Sequence, residues 1–182
     1  MIALRPAQPG DAAGIARAHV DAWRRAYEKL VPRPMLDAVT YEKRLASWQM
    51  LLEDHAEALP TLVAVDNATI AGFATISPGR APAEGIDAEL HMLFIAPSYQ
   101  RRDLGRRLFH AAASLAQAAG DRSLMASLIA QPQAASFFAA LGGQSLAIPP
   151  LDAFGRSLDQ LLYLWPDLAN LPPQPGSESP SP

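Results

Sequence analysis

Apolar residues near the start of the chain fall at helical spacing. Ile15, Ala18, Ala22 and Ala26 recur at three- and four-residue steps, with Val20, Trp23 and Tyr27 beside them. This period predicts a helix with a wide apolar face. Pro9-Gly10-Asp11 opens it, with Asp11 placed to cap it, and it ends before Pro32. Ahead of it, Ile2 to Arg5 reads as a short first strand. Pro32-Arg33-Pro34 reads as a connector. Thr40 is placed to cap a second helix carrying Leu45, Trp48 and Leu52.

The pattern changes at Pro60. TLVAVD (61–66) and TIAGFATIS (69–77) are rich in strand formers and flank Asp66-Asn67-Ala68, which predicts a hairpin. A loop over 78–85 leads into a strand over 86–97. There Ala88, Leu90 and Met92 alternate, and then Leu93 and Ile95 fall out of phase. A bulge near Met92 accounts for the slip, and so does burial of both faces. Leu104, Leu108, Ala111, Ala112 and Leu115 predict a helix ending near Gly120. SLMASLIA (123–130) reads as a strand, and 132–143 as a short helix closed by Gly142. Two last strands are expected over 144–150 and 157–168, the segment 157–165 being a candidate sheet edge.

This order of elements predicts a mixed α/β domain with helices on a largely antiparallel sheet. The domain is expected over 1–168. From Pro172 the chain reads PPQPGSESPSP, which cannot bury a core, so a disordered tail is expected over 169–182. No internal repeat is visible.

Composition narrows the chemistry. The chain has 182 residues, a formal net charge of −3 and no cysteine. Disulfides, thiolate catalysis and Cys-based zinc sites are excluded, and no general basic field for nucleic acid exists. Four histidines occur without metal-ligand spacing, so no metal site is expected. No secretory pattern and no apolar run long enough for a membrane span are seen. A cytoplasmic protein is expected.

One stretch carries candidate chemistry. APSYQRRDLGRRL (96–108) sits where a strand gives way to a helix, and 101–107 holds four arginines against one aspartate. Unpaired amides at a helix N-terminus, with cations around them, suit a diphosphate. Gly105 permits close backbone approach. The other reading is an arginine-rich solvated turn with Asp103 as N-cap. A nucleotide-phosphate enzyme is disfavoured, because neither Gly-x-x-x-x-Gly-Lys-Ser/Thr nor an early Gly-x-Gly-x-x-Gly is present.

Ile95-Ala96-Pro97 followed by Gln100-Arg101-Arg102-Asp103-Leu104-Gly105 resembles the cofactor motif of the GNAT superfamily of acetyl-CoA-dependent N-acyltransferases. Val20 to Tyr27 is similar to the first helix of a common bacterial subgroup, and Gly72-Phe73-Ala74 to its third strand. Gln131 to Gly143 loosely matches the second family signature, Asn-x-x-Ala-x-x-Phe-Tyr-x-x-x-Gly-Phe. The resemblance spans about Ile2 to Trp165. It implies a twisted, mostly antiparallel sheet of about six to seven strands flanked by about four helices, and acetyl-CoA as acyl donor. The implied donor contacts are Leu93, Phe94 and Ile95 on a fourth strand splayed from the fifth, then Gln100, Arg101, Arg102, Asp103, Leu104, Gly105 and Arg106, with Gln131 and Phe138 beyond.

Three positions depart from the family pattern. Asp103 replaces the first motif glycine, Gln131 an asparagine, and Phe138 a tyrosine that can protonate the departing thiolate. Solvent or Tyr99 would have to serve instead. Glu89 is the candidate base, acting through a water. His91, two residues on, would share its face in a regular strand and has a near-neutral reference pKa; a solvated polar strand face is the other reading of both. Trp23, Tyr27, Tyr41 and Trp48 line either the acceptor side or the helix core. Two functions follow: an N-acetyltransferase acting on a small-molecule or protein amine, or a GNAT-like domain that holds CoA or an effector without turnover. A homodimer is possible. No nucleic-acid or membrane partner is expected.

Overall fold

The computed structural model describes residues 1–78, 85–153 and 155–173. Strand β1 (Ala3–Pro6) leads through a 3-10 turn into helix α1 (Ala12–Tyr27). Asp11 does not cap α1 through its side chain. Its carboxylate instead accepts two hydrogen bonds from Arg5, at 2.6 and 2.8 Å, and one from the Gln8 N–H at 2.8 Å. Arg5 outcompetes the helix amides because a bidentate guanidinium–carboxylate pair is the stronger interaction.

The expected connector after Pro32 is a five-residue helix, α2 (Arg33–Asp37). Pro34 stands in its first turn, where a missing N–H costs nothing. Helix α3 (Tyr41–Asp54) is capped by Thr40, whose hydroxyl accepts from the Lys43 N–H at 3.4 Å.

β2 (Thr61–Asp66) and β3 (Thr69–Pro78) form the predicted hairpin, and Asn67 turns it with a φ of 53°, which asparagine tolerates. Then follow β4 (Ala88–Ile95), α4 (Leu104–Ala118), β5 (Leu124–Ile129), α5 (Pro132–Ala140), β6 (Gln144–Ala153) and β7 (Arg156–Trp165). Of the loop expected over 78–85, residues 79–84 lie outside the described residues.

The seven strands form one sheet in the order β1-β2-β3-β4-β5-β7-β6. All neighbours are antiparallel except β4 and β5, which are parallel and pair at only two positions, Ala88↔Leu124 and Glu89↔Met125. Beyond Glu89 the two strands part. The candidate edge at 157–165 is not an edge: β7 lies between β5 and β6, and the other hairpin arm, β6, takes the outside.

The two faces of the sheet are covered separately. Leu104, Leu108, Phe109, Ala112 and Ala116 of α4 pack with Ala74, Ile76, Ala88, Leu90 and Trp165. Ile15 and Ala16 of α1 and Trp48 and Leu52 of α3 pack with Val63 and Phe73 on the other face. Leu168 to Asn170 form a 3-10 turn, and Leu168 and Leu171 pack onto the α4-side core. Of the expected tail, 174–182 lies outside the described residues. Among the described residues, no helix is long and apolar enough to cross a membrane.

The phase slip in β4 is a bulge. Met92 pairs with Thr75 and Leu90 with Ile76, which leaves His91 as the extra residue. Leu90 and Leu93 therefore both reach the α4-side core, while Met92 and Phe94 reach the α1 side.

Candidate active site

The split between β4 and β5 exposes backbone. Ala96 N–H bonds to the Ala71 carbonyl at 2.9 Å. By the alternation of an antiparallel ladder, Phe94 and Met92 then exchange their bonds with β3. Leu93 and Ile95 turn their backbone groups the other way, into the split. Phe94 was expected to offer backbone there. It does not, because its ladder position commits it to β3, and its ring stacks on His19 at 4.9 Å between centroids. The Ile95 carbonyl accepts from the Gln100 side chain at 3.1 Å, so Gln100 braces the turn beyond the strand.

At the far end of β4 the motif turn leads into α4. Leu104 is buried in the core and anchors the helix start. The first backbone bond of the helix runs from Arg107 N–H to the Asp103 carbonyl at 3.1 Å, so the amides of Leu104, Gly105 and Arg106 are the helix's outward donors. Arg101 and Asp103 have φ of 61° and 60°, the left-handed region that side chains disfavour.

Asp103 does not cap α4 with its side chain. Its carboxylate lies 3.3 Å from Arg106 Nε instead. A β-region backbone aims a capping side chain at the N2 and N3 amides, and the left-handed backbone of Asp103 does not. Of the remaining arginines, Arg107 donates to the Ile2 carbonyl at 2.9 Å. Arg102 lies 5.8 Å from the centre of the Tyr99 ring. The Tyr99 hydroxyl donates to Asp66 at 3.2 Å, and desolvation together with Asp66 pushes its pKa up.

Gly105 also has a packing role. A Cβ there would stand 3.3 Å from two Phe137 ring carbons. Its missing side chain lets the first turn of α4 close on α5. Phe138, in the tyrosine position, is buried against Tyr163 and Trp165, at 5.4 and 5.7 Å between ring centres.

Glu89 stands at the vertex of the split. It is in register with Ser77 on one side and Met125 on the other, and it is buried. Ala88 and Leu90 point to the α4 side, so strand alternation turns Glu89 to the α1 side. The bulge separates His91 from it: His91 is exposed where Glu89 is buried, because the inserted residue breaks the period of two.

On the α1 side, Trp23 and Tyr27, 4.3 Å apart, cluster with Phe94 of β4 and Ile129 of β5, one from each lip of the split. Burial pushes the Tyr27 pKa up, opposed by a hydrogen bond from the Gln131 side chain. Trp48 belongs to the core beside Phe73, and Tyr41 is covered by the Arg17 guanidinium at 5.1 Å. A groove of about 330 Å³ between α1 and the start of α3, lined by Arg17, Asp21, Arg24 and Tyr41 among others, shares no residue with the split.

A sheet parted after two parallel residue pairs, with a helix N-terminus at the end of the bulged strand, is the geometry implied by the sequence resemblance. Residues 16–142 match the acetyltransferase (GNAT) family. The chain belongs to this family. A Bacillus subtilis (strain 168) relative named as an uncharacterized N-acetyltransferase, YuaI, is 28% identical over 172 residues, covering 94% of this chain and 96% of the relative. A GCN5-related N-acetyltransferase structure from Rhodopseudomonas palustris has a TM-score of 0.65 at 26% identity, over 89% of this chain and 93% of that one. The structure of yncA from Salmonella typhimurium, solved with its cofactor acetyl-CoA, has a TM-score of 0.70 at 22% identity, over 100% of this chain and 98% of that one.

Within this GNAT fold the structure brings Leu93, Ile95, Gln100 and the 101–106 turn to one end of the split. Glu89 lies at the other end, and Gln131 beside Tyr27. Sequence reading missed Ser77, whose buried hydroxyl has no hydrogen-bond partner among the described residues. Only the cross-strand register, fixed once the bulge is known, sets it opposite Glu89.

Proposed function

We propose that the chain transfers an acetyl group from acetyl-CoA to a primary amine by direct attack. The observation that carries this reading is the split itself: backbone of Leu93 and Ile95 faces it, and it ends on the outward amides and arginines of the α4 turn. A pantetheine arm fits as an added strand along β4, and the diphosphate suits the turn. Leu93, Ile95, Arg101, Arg102, Leu104, Gly105 and Arg106 are the proposed donor contacts.

The amine nitrogen attacks the thioester carbonyl, the C–S bond breaks, and the thiolate leaves with its electron pair. Strand amides at the split would polarise the carbonyl. The attacking amine must be neutral, and Glu89 is the proposed proton acceptor through a water. The acid that protonates the thiolate is solvent in this reading: Phe138 has no hydroxyl, and the Tyr99 hydroxyl is held by Asp66. The acceptor is a small-molecule or protein amine, and a cytoplasmic location goes with the reading.

A second reading, a domain that holds CoA without turnover, is favoured by the Asp103–Arg106 contact and by a phenyl ring in place of a phenol at Phe138. Calorimetry with acetyl-CoA, paired with thiol release across a panel of primary amines, separates them. Heat with amine-dependent release supports transfer. Heat with no release from any amine supports the holding domain. The absence of heat at millimolar acetyl-CoA sinks both.

A further inference from the structure

We propose that Asp103 is a resident competitor for the donor's diphosphate, holding the Arg106 guanidinium that an incoming diphosphate would engage and thereby setting donor affinity. This rests on the donor-binding reading above.

Three observations carry it. First, Asp103 occupies a backbone conformation with φ of 60°, which glycine adopts freely and a side-chain-bearing residue only under strain. A carboxylate is thus fixed immediately before the outward amides of α4. Second, that carboxylate does not satisfy those amides; it lies 3.3 Å from Arg106 Nε. Third, two of the neighbouring arginines already have contacts of their own that are not with an anion. Arg107 is tied to the Ile2 carbonyl, and Arg102 lies over Tyr99. Arg106 is the arginine in the first turn of α4 that is paired only with an anion. Its side chain is 25% exposed, against 48% for Asp103, so the carboxylate is the more easily displaced partner.

Binding a diphosphate here exchanges one anion for another on the same guanidinium. The exchange loses the Asp103–Arg106 contact and sets the freed carboxylate near the phosphates. An exposed pair and a like-charge approach at about 4 Å in water each change an equilibrium by up to about fivefold. Removing the carboxylate should therefore tighten CoA binding by about 5- to 20-fold.

The test uses the full chain and four proteins: wild type, D103N, D103A and D103G. CoA binding is measured by calorimetry, and binding of pantetheine, which lacks the diphosphate, by ligand-observed NMR. The expected result is tighter CoA binding in D103N and D103A alike, with pantetheine changed by less than about twofold. Thermal midpoints move independently: alanine in the left-handed region lowers the midpoint, and glycine raises it. Unchanged CoA affinity in D103N and D103A overturns the proposal. So does a gain confined to D103G, which would assign the effect to the Cβ, or an equal gain for pantetheine. Heat in the wild type without change across the variants removes only the competition. No heat in any of the four removes the donor reading as well.

Discussion

The indole N–H of Trp48 donates to Nδ1 of His19 across 3.3 Å, joining α3 to α1 beneath the sheet. That bond fixes the neutral tautomer with its proton on Nε2. The ring is buried and lies against Phe73 and Phe94. Burial, with Arg44 adding to it, pushes the His19 pKa down to about 4.

This histidine sets an acid limit on folding. The unfolded chain takes up a proton near pH 6.5 and the folded chain only near 4, so the unfolded state binds more protons between them. Stability from this group is full above about pH 6.5 and falls as the pH drops toward 4, by about 3 kcal/mol at most. Urea denaturation between pH 7 and 4 should show the decline. His19→Gln, which does not titrate, should flatten it at the cost of lower stability at pH 7. An unchanged slope in that variant would assign the decline to other groups.

Gly72 is needed where β3 meets the end of β4. A Cβ there would stand 2.7 Å from Ile95 Cδ1 and 2.8 Å from the Phe94 carbonyl oxygen. The second contact is backbone and cannot swing aside. Gly72→Ala should destabilise by about 1–3 kcal/mol. It should also weaken acetyl-CoA binding, because Ile95 borders the split. Chemical denaturation and calorimetry check the two effects separately.

Ser77 carries a buried hydroxyl without a hydrogen-bond partner among the described residues. A polar group buried unpaired is a cost, so Ser77→Ala should stabilise by roughly 0.5–1 kcal/mol. A fall in the thermal midpoint of this variant would contradict the assignment.

Glu89→Gln keeps size and removes the base. Acetyl transfer, followed by thiol release, should drop by about 10²-fold or more, with acetyl-CoA affinity within about twofold. His91→Gln should change transfer by less than about threefold, since the bulge turns that side chain to solvent. Loss of donor affinity in E89Q would mark Glu89 as a structural group of the strand junction.

Much of the fold was legible because its signals are local. Helical spacing gave α1, α3 and α4; the Asp66-Asn67-Ala68 turn gave the hairpin; and the slip between Met92 and Leu93 offered the bulge as one of two readings. What failed depended on partners distant in sequence or on backbone conformation. Asp11 was read as a cap, but Arg5 claims its carboxylate. Asp103 was read as a cap too, and nothing in its neighbours' identities reveals a φ of 60°. The outer position of β6 depends on which neighbour β7 takes, which periodicity does not encode. At the site, the family resemblance implied Leu93 and Ile95, and residue type and strand position suggested Glu89, whereas the contact of Gly105 with Phe137 required helix packing to be known.

The narrow junction between β4 and β5 makes the molecule two lobes sewn by a very short seam. With backbone pairing limited to Ala88–Leu124 and Glu89–Met125, cohesion across it rests on side chains such as Phe109 against Trp165, 4.9 Å between ring centres. Amide exchange should therefore sort the strands by lobe, and a cut near the exposed Gly120 turn would yield fragments able to recombine through oil-like contact more than through shared ladder.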